Sequence, residues 1–380
     1  MLKKTVTLIL SCALLLTCTV QLTAAATFSD SFDAKSVILM EQSTGEVLYE
    51  YNADEALPPA SVTKVMTVLL VLEALDAGKI KTEDPVTVSA YATSMGGSQI
   101  YLKENEVMSV NDLLKAVVVA SANDAAVALA EYLCGSEESF VALMNERAKE
   151  LGMNNTTFQN TNGLDDSDEG HLTSARDIAI MSREVLKHPK IFEYSTIWMD
   201  SVRDGAFGLT NTNRLIRYYN GANGLKTGST SKAGFCISAT AVRDGMQLIA
   251  VVMASSTRDT RNALAASLLD WGFANYAVTE FEGKETKPIP VKGGVQDACG
   301  AAYPAASFVG EKNSGKIEQK IQCNEFLSAP VKKGDVVGSV VYLRGEEELG
   351  KTDILATEDI PRITFGQVLI RLLQKTCFSS

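Results

Sequence analysis

The amino-acid sequence predicts an α+β protein in which an antiparallel sheet with packed helices is followed by a smaller all-β domain. Strand-like runs at residues 36–41 and 46–51 lead into a long apolar helical run, and strand-like runs recur at 234–242 and 246–254. From about residue 278 the chain changes to short β-like runs broken by Gly, Pro and Lys. With 380 residues, 46% of them apolar, the chain can bury a core in each of two domains.

The charge balance excludes one class of partner. The formal net charge is −11, and the sequence contains no long run of Lys and Arg. Recognition of phosphate groups needs a concentrated basic surface. We therefore expect no nucleic-acid partner.

The first 26 residues predict an export signal. Lys3 and Lys4 precede an uncharged apolar span at residues 6–20, and the alanines at 24–26 provide small residues for cleavage. The mature chain would then start at Thr27, outside the cytoplasm. A retained membrane anchor is the alternative, although the apolar span is shorter than the roughly 20 residues that cross a bilayer.

The cysteines and acidic residues indicate neither a metal site nor a cofactor. The five cysteines after the signal are scattered and lack the close pairs of a zinc site. Cys299 and Cys323 could form a disulfide, and unpaired thiols are the alternative. The acidic loop at 165–169 lacks the spacing and closing glutamate of a calcium loop, which favours a solvated surface loop.

The helices of the first domain have clear start signals. Ser109 opens a helix predicted to run to residue 120, and a second helical run follows at 125–133. Amphipathic helices are also predicted at 136–151 and 173–186. A last helix, from Arg261 to about residue 276, closes the domain.

The remaining chain predicts two further units. With the first domain at 27–277, a β-sandwich domain follows at 278–359 and a basic amphipathic helix at 360–380. In that helix, Arg362 and Arg371 lie among six apolar side chains, which suits the surface of a membrane. Docking of the helix onto its own β domain is the alternative.

Ser61 and Lys64 form the first of three short motifs that carry chemistry. They lie three residues apart at a predicted helix start and therefore share one face of that helix. A serine hydroxyl must lose its proton to a base as it attacks a carbonyl carbon. Lys64 can accept that proton only when neutral, and burial beside the cationic Lys226 would lower its pKa from about 10.4. Neither histidine, His171 or His188, is next to a motif serine.

Two further motifs follow along the chain. Ser121-Ala122-Asn123 lies between two predicted helices, and Lys226-Thr227-Gly228 lies on a predicted strand, where Gly228 would let a ligand approach the backbone. With Ser61-x-x-Lys64, the ordered triplet resembles the penicillin-recognising serine enzymes. Within that group the chain is similar to the low-molecular-weight penicillin-binding proteins, D-alanyl-D-alanine carboxypeptidases of the peptidase S11 type, over nearly its whole length.

The resemblance implies a fold, a substrate and a location. The fold would be a β-lactamase/transpeptidase-like domain with a helical subdomain. The substrate would be a peptidoglycan stem peptide ending in D-Ala-D-Ala, and β-lactam antibiotics would acylate the same serine. The enzyme would act at the outer face of the cytoplasmic membrane, held there by its C-terminal helix, without a cofactor.

The resemblance also implies roles for the catalytic groups. Ser121 would relay a proton between the lysines and the leaving amine, and Asn123 would hold the peptide group of the substrate. Lys226 would hydrogen-bond to Ser121 and supply positive potential. The backbone N–H groups of Ser61 and Ser229 would form an oxyanion hole.

A second group of residues would bind the end of the substrate. Thr227 and Arg261 would hold its terminal carboxylate, next to Gly228. Arg258, about one helical turn before Arg261, is the alternative guanidinium. Ser229 stands where some family members carry a histidine, which leaves open any role for its side chain.

Two other functions compete with this interpretation. A class A β-lactamase would need a deacylating glutamate, but the nearest match, at residues 150–154, lacks the usual leucine, so Glu150 is not predicted to be catalytic. The middle motif of those enzymes is also usually Ser-Asp-Asn, whereas this chain has Ala122. A non-catalytic wall-binding protein would have lost Ser61, Lys64 or Lys226. Endopeptidase and transpeptidase activities use the same catalytic residues and remain open.

Overall fold

The computed structural model describes residues 28–29, 31–164 and 170–378. The predicted export signal at 1–26 and the acidic loop at 165–169 lie outside the described residues. The α-helices are α1 Lys64–Asp76, α2 Ala90–Thr93, α3 Val110–Lys115, α4 Asn123–Cys134, α5 Glu137–Glu150, α6 Ala175–Val185, α7 Phe192–Ser195, α8 Leu215–Tyr218, α9 Arg258–Asn275 and α10 Phe365–Phe378.

The strands fall into two groups along the chain. The first domain contains β1 Ser36–Glu41, β2 Val47–Tyr51, β3 Pro85–Thr87, β4 Val107–Ser109, β5 Met199–Val202, β6 Phe207–Thr210, β7 Ala222–Thr230, β8 Gly234–Arg243 and β9 Met246–Ser255. The later strands are β10 Tyr276–Phe281, β11 Lys284–Glu285, β12 Ile289–Lys292, β13 Ala298–Cys299, β14 Ala301–Tyr303, β15 Ala306–Glu311, β16 Ile317–Cys323, β17 Leu327–Ser328, β18 Val336–Arg344 and β19 Glu347–Ala356.

A five-stranded antiparallel sheet in the order β2-β1-β9-β8-β7 forms the centre of the first domain. Successive side chains of a strand point to opposite faces. Accordingly, Ile38 and Met40 belong to the core that contains α1, whereas Val37 and Leu39 belong to the core that contains α9. The predicted α+β arrangement, with a buried helix packed against the sheet, is confirmed.

The helix after Pro59 begins later than the sequence predicts. Ala60–Thr63 forms a 3₁₀ turn, and the α-helix α1 starts at Lys64. Every residue from Lys64 to Leu72 is buried, because helices cover the side of α1 that the sheet leaves open. Ser61 and Lys64 still point the same way, since residues three apart also superpose in a 3₁₀ turn.

Two other helix predictions need comment. The helix opened by Ser109 runs to Ala120 as predicted, but it is α-helical only to Lys115 and continues as a π-helix over Ala116–Ala120. The last helix of the domain starts at Arg258 rather than Arg261, because the Thr257 hydroxyl accepts a hydrogen bond from the Thr260 backbone N–H at 3.1 Å and caps the helix there.

The later strands form the predicted small β domain. One sheet has the order β11-β14-β19-β18-β16 and another has the order β13-β12-β17. The shared core contains fully buried Val340, Tyr342 and Ile354. The short strands β12 and β17 pair in parallel, whereas the sequence predicted only antiparallel pairing in this domain.

Helix α10 ends the described chain, and its apolar side chains between residues 365 and 373 are exposed. Phe365 is 85% exposed, and Ile370 and Leu372 are more than half exposed. Arg371 donates hydrogen bonds to Asp297 and to the carbonyls of Gly294 and Val295, so this side chain ties the helix to the β domain. In the part of the chain that the structure describes, no helix is long and apolar enough to cross a membrane.

Cys134, Cys236, Cys299 and Cys323 are thiols that form no disulfide bond. Cys299 is buried on β13, whereas Cys323 is exposed at the end of β16. The disulfide considered between Cys299 and Cys323 is therefore not formed.

Candidate active site

Ser61 lies where the 3₁₀ turn meets the edge strand β7. The contact requires glycine at position 228, because a Cβ atom there would lie 2.8 Å from the Ser61 nitrogen and 2.9 Å from the Pro59 oxygen. Real Cβ atoms essentially never come this close to backbone atoms. The sequence predicted that a ligand would approach the backbone at Gly228. In the structure the nucleophile turn, the 3₁₀ turn Ala60–Thr63, makes this close approach and brings Ser61 beside Ser229.

The Ser61 hydroxyl is hydrogen-bonded to a buried amine. Lys64 Nζ lies 3.0 Å from Ser61 Oγ and also donates to Asn123 Oδ1 at 2.6 Å and to the Asn162 carbonyl at 2.7 Å. Its side chain has no exposed surface. Burial, followed by repulsion from Lys226, holds the pKa of Lys64 well below its ordinary value, and Asp124 opposes this shift. The predicted lowering of this pKa is confirmed in direction and cause.

Ser121 and Lys226 form the second hydrogen-bonded pair of the site. Ser121 caps the C-terminal end of the π-helix in the left-handed conformation, at φ 63°. Lys226 Nζ, on β7, donates to Ser121 Oγ at 2.8 Å and to the Thr227 carbonyl at 2.8 Å. Burial, with a smaller contribution from Arg261, lowers the pKa of Lys226 to about 7.

The Asn123 amide is engaged within the protein. Its Oδ1 accepts from Lys64 Nζ, and its Nδ2 donates to the Gly96 carbonyl at 2.7 Å. The residue is 3% exposed and does not line the cavity in front of Ser61. In this structure Asn123 therefore orients the lysine, and holding a substrate peptide would require it to exchange one of these bonds.

The cationic end of the site contains both arginines considered from the sequence. Arg261 is 2% exposed and donates to the Cys236 carbonyl at 3.2 Å and to Asn262 Oδ1 at 2.8 Å. Burial lowers its pKa to about 10. Arg258 also lines the cavity but is exposed to solvent. Thr227, whose hydroxyl donates to Thr212 Oγ1 at 2.8 Å, joins them.

A cavity of about 590 Å³ collects most of the predicted site residues. Its walls include Ser61, Ser121, Thr227, Gly228, Ser229 and Arg261, with the two lysines behind them. Several other lining residues carry no sequence motif and were not predicted: Ser98, Trp198, Thr210, Asn211, Thr212, Arg214 and Tyr218. Ser98 lies between α2 and β4, and the other six come from the segment between α7 and β7, far from Ser61 in sequence.

Glu150 is remote from this chemistry. It ends α5, its side chain is 57% exposed, and it forms an ion pair with Arg147 at 2.9 Å. It does not line the cavity. Within the described ranges, no group of three or more His, Cys, Asp or Glu side chains is arranged to hold a metal ion.

The comparison with protein families divides the chain into two matched parts. Residues 21–257 match the family described as D-alanyl-D-alanine carboxypeptidase, peptidase S11. Residues 281–362 match the C-terminal domain of penicillin-binding protein 5.

Relatives match over almost the whole chain. The D-alanyl-D-alanine carboxypeptidase DacF of Bacillus subtilis is 42% identical over 349 residues, which cover 90% of this chain and 89% of the relative. DacC of Escherichia coli is 37% identical, covering 87% of this chain and 85% of the relative. Penicillin-binding protein 5 of Haemophilus influenzae has a similar structure, with a TM-score of 0.78 at 30% identity, covering 89% of this chain and 100% of that one.

Proposed function

The chain belongs to the D-alanyl-D-alanine carboxypeptidase family, and we propose that Ser61 is the nucleophile of its activity and Lys64 the base. The enzyme is a serine hydrolase that removes the terminal D-alanine from peptidoglycan peptides. One observation carries the residue assignment, namely the 3.0 Å hydrogen bond between Ser61 Oγ and a lysine amine whose pKa is lowered by burial. A neutral amine at this distance can accept the hydroxyl proton.

Acylation begins when Ser61 Oγ attacks the carbonyl carbon of the penultimate D-alanine. Lys64 Nζ takes the serine proton, and the backbone N–H groups of Ser61 and Ser229 stabilise the oxyanion. The C–N bond then breaks, and the leaving amine receives a proton through Ser121, which Lys226 contacts at 2.8 Å. The products of this step are free D-alanine and an ester on Ser61.

Hydrolysis completes the cycle and explains inhibition by penicillin. Water attacks the ester carbonyl carbon and gives a proton to a neutral lysine of the site. The bond to Ser61 Oγ then breaks, the lysine returns the proton to that oxygen, and the product leaves as a carboxylic acid that ionises in water. A β-lactam ring opens in the same acylation step, but its amine remains attached to the acyl group. Because that amine cannot diffuse away, it stays where water must enter, and the acyl-enzyme persists.

The terminal carboxylate of the substrate fits the cationic end of the cavity. Arg261 is buried beside Thr227, so the cation meets the anion with little competition from water. The Asn211–Arg214 segment and Trp198 complete the wall on that side. We assign the carboxylate to Arg261 rather than to Arg258, because the exposed Arg258 loses more side-chain entropy when it binds.

Release of D-alanine tests the assignment. The enzyme is incubated with a muropeptide pentapeptide, and free D-alanine is assayed for the wild type and for Ser61→Ala. We expect the variant to lose both D-alanine release and labelling by penicillin. Ser94→Ala, which removes an exposed hydroxyl bonded only to the Tyr91 carbonyl, serves as the control with normal activity. Retention of both activities in Ser61→Ala would refute the nucleophile.

We also propose that the enzyme is exported by its first 26 residues and held on the outer face of the cytoplasmic membrane by α10. The domains would span 27–277 and 278–359. The exposed apolar side chains Phe365, Ile370 and Leu372 support this proposal, because such a surface costs free energy in water. Arg371 would keep the helix near the β domain through Asp297.

Vesicle binding tests the membrane proposal. The mature chain is sedimented with vesicles of anionic phospholipid, and we expect it to bind, whereas a chain with Leu369→Glu and Leu373→Glu should stay in solution. Arg176→Gln, which removes a surface cation far from α10 in sequence, is the control and should bind like the wild type. Equal binding of the wild type and the double variant would exclude α10 as the anchor.

A further inference from the structure

His171 is a buried residue that contacts the Ser61-x-x-Lys64 motif through Thr63. The histidine follows the loop 165–169 and is 2% exposed. Its Nε2 atom lies 2.8 Å from Thr63 Oγ1, and Thr63 lies inside Ser61-x-x-Lys64. The sequence assigns this histidine no role, since it is 110 residues from Ser61 and not in a motif.

The hydrogen bonds fix which ring nitrogen carries the proton. His171 Nδ1 accepts from the Gln159 backbone N–H at 3.0 Å, and a backbone amide can only donate. The neutral ring therefore has its proton on Nε2 and donates it to Thr63 Oγ1. Thr63 Oγ1 in turn donates to the Ala60 carbonyl at 2.8 Å. A directed chain of hydrogen bonds thus runs from Gln159 through His171 and Thr63 to Ala60.

The chain ends on the peptide group that contains the Ser61 N–H. The Ala60 carbonyl and the Ser61 amide belong to one planar trans unit, so fixing the C=O direction also fixes the N–H direction on the opposite side. Ala60 has φ 48°, a left-handed conformation uncommon for residues other than glycine. Such a conformation persists only when surrounding contacts hold it.

Gly163, in the loop before residue 165, packs closely against the Ala60 carbonyl. A Cβ atom at Gly163 would lie 1.8 Å from the Ala60 oxygen and 2.7 Å from Thr63 Oγ1. Position 163 therefore admits only glycine while Ala60 keeps its orientation. On the opposite side of the peptide, the Ser61 nitrogen faces Gly228 of β7, next to Ser229.

We propose that His171 is a positioning residue which, through Thr63, holds the Ala60–Ser61 peptide so that the Ser61 N–H points into the oxyanion hole. The inference rests on the proposed function, because it assumes that this N–H stabilises the tetrahedral intermediate. His171 acts without touching the substrate and exchanges no proton with it. Its contribution is the direction of one hydrogen-bond donor.

A sulfur substitution in the substrate tests this role. An ester analogue of the D-Ala-D-Ala peptide is compared with its thionoester, in which sulfur replaces the carbonyl oxygen. Sulfur accepts hydrogen bonds weakly, so an aligned oxyanion hole favours the oxygen compound. The ratio of the two acylation rate constants therefore reports the alignment of the donor. A change that merely loosens the fold would lower both rate constants and leave the ratio unchanged.

Two pairs of variants provide the comparison. Thr63→Val removes the hydroxyl at constant shape, and Thr63→Ser keeps it. His171→Phe removes both ring nitrogens, and His171→Gln keeps a donor. We expect the oxygen-to-sulfur ratio to fall about tenfold in Thr63→Val and His171→Phe, less than the loss of 10²–10³ seen when a donor is deleted. Thr63→Ser should restore the ratio fully, and His171→Gln at least in part.

The outcomes separate the inference from the function. If the ratio in Thr63→Val and His171→Phe equals that of the wild type, the positioning role is excluded, whatever happens to the individual rates. Circular dichroism melting curves identify any variant that is unfolded at the assay temperature. Failure of the wild type to acylate with the oxygen ester would instead overturn the proposed function itself.

Discussion

Lys64 Nζ and Ser61 Oγ are 3.0 Å apart, and the amine has no exposed surface. The amine is held on two other sides by Asn123 and the Asn162 carbonyl, so its position is fixed before substrate arrives. The pair is therefore arranged for transfer of the serine proton. This requires Lys64 to be neutral, which its burial beside Lys226 promotes.

Lys64→Arg should slow acylation strongly although it keeps a cation. Arginine remains protonated at any working pH and cannot accept the serine proton. We expect the acylation rate constant with a penicillin to fall by roughly 10²–10⁴, the usual contribution of a general base. The reaction is quenched in acid at a series of times, and mass spectrometry measures the fraction of acylated enzyme. A loss smaller than about tenfold would mean that another group is the base.

The pH profile should report the coupling between the two lysines. Repulsion from Lys226 is the second cause, after burial, of the lowered pKa of Lys64. Lys226→Gln removes that cation, so the protonated form of Lys64 becomes less unfavourable and its pKa rises. We expect the acid limb of the kcat/KM profile for acylation to move to higher pH. An unchanged or more acidic limb would show that Lys64 does not control it.

The buried Lys226 should also make stability depend on pH. Its pKa is about 7 in the folded protein against 10.5 ordinarily, so between these values the unfolded chain binds more protons. The stability cost of burying the cation is thus fully present below pH 7 and disappears as pH rises towards 10.5. Relative to the wild type, Lys226→Met should lose stability with rising pH, by up to about 1.4 kcal/mol per pH unit. Urea unfolding at several pH values measures this, and a pH-independent difference would contradict it.

Gly228→Ala should separate β7 from the nucleophile turn. The added methyl group would meet three backbone atoms of residues 59–62 within 2.9 Å. We expect acylation to slow about 10²-fold, as displacement of reacting groups by about 1 Å does. Gly208→Ala is the matched control, because a Cβ there meets nothing within 4 Å and no positive φ is involved. Equal rates for the two variants would refute the proposed contact.

Arg261 and Arg258 should differ in what they contribute to binding. Arg261→Gln should lower kcat/KM for a peptide with a free terminal carboxylate by roughly 10²-fold, consistent with loss of a buried charge-assisted hydrogen bond. Arg258→Gln should change it less than about threefold, because exposed ion pairs contribute little. For a peptide ending in a carboxamide, the kcat/KM values of Arg261→Gln and Arg258→Gln should become similar. The reverse order of effects would assign the carboxylate to Arg258.

The catalytic groups could be predicted because each comes with a local signal. Ser61 and Lys64 are brought together by one helical turn, and Lys226 lies on a strand marked by its hairpin. The hydrogen bond of Lys226 to Ser121 joins residues 105 positions apart, and only the family resemblance predicted it. The strand-like runs that became β1 and β9 predicted strands of the sheet that supports these groups.

The rest depends on contacts that leave no local pattern. Asn123 was expected to face the substrate, yet its Oδ1 binds Lys64, because the side chain of the first residue of α4 points inward. Trp198 and Arg214 reach the cavity through the fold of the chain between α7 and β7. His171 was judged only by its distance in sequence from the serines. Its role depends on the tautomer that Gln159 imposes, which only the structure reveals.

The site of covalent attachment tests the central claim most directly. The enzyme is acylated with a penicillin, quenched in acid, digested, and mapped by mass spectrometry. The account predicts one adduct, on the peptide that contains Ser61, with the mass of the intact penicillin, and none in Ser61→Ala. An adduct on Ser121 or on any other residue, or an unmodified Ser61 peptide from inactivated enzyme, would contradict it.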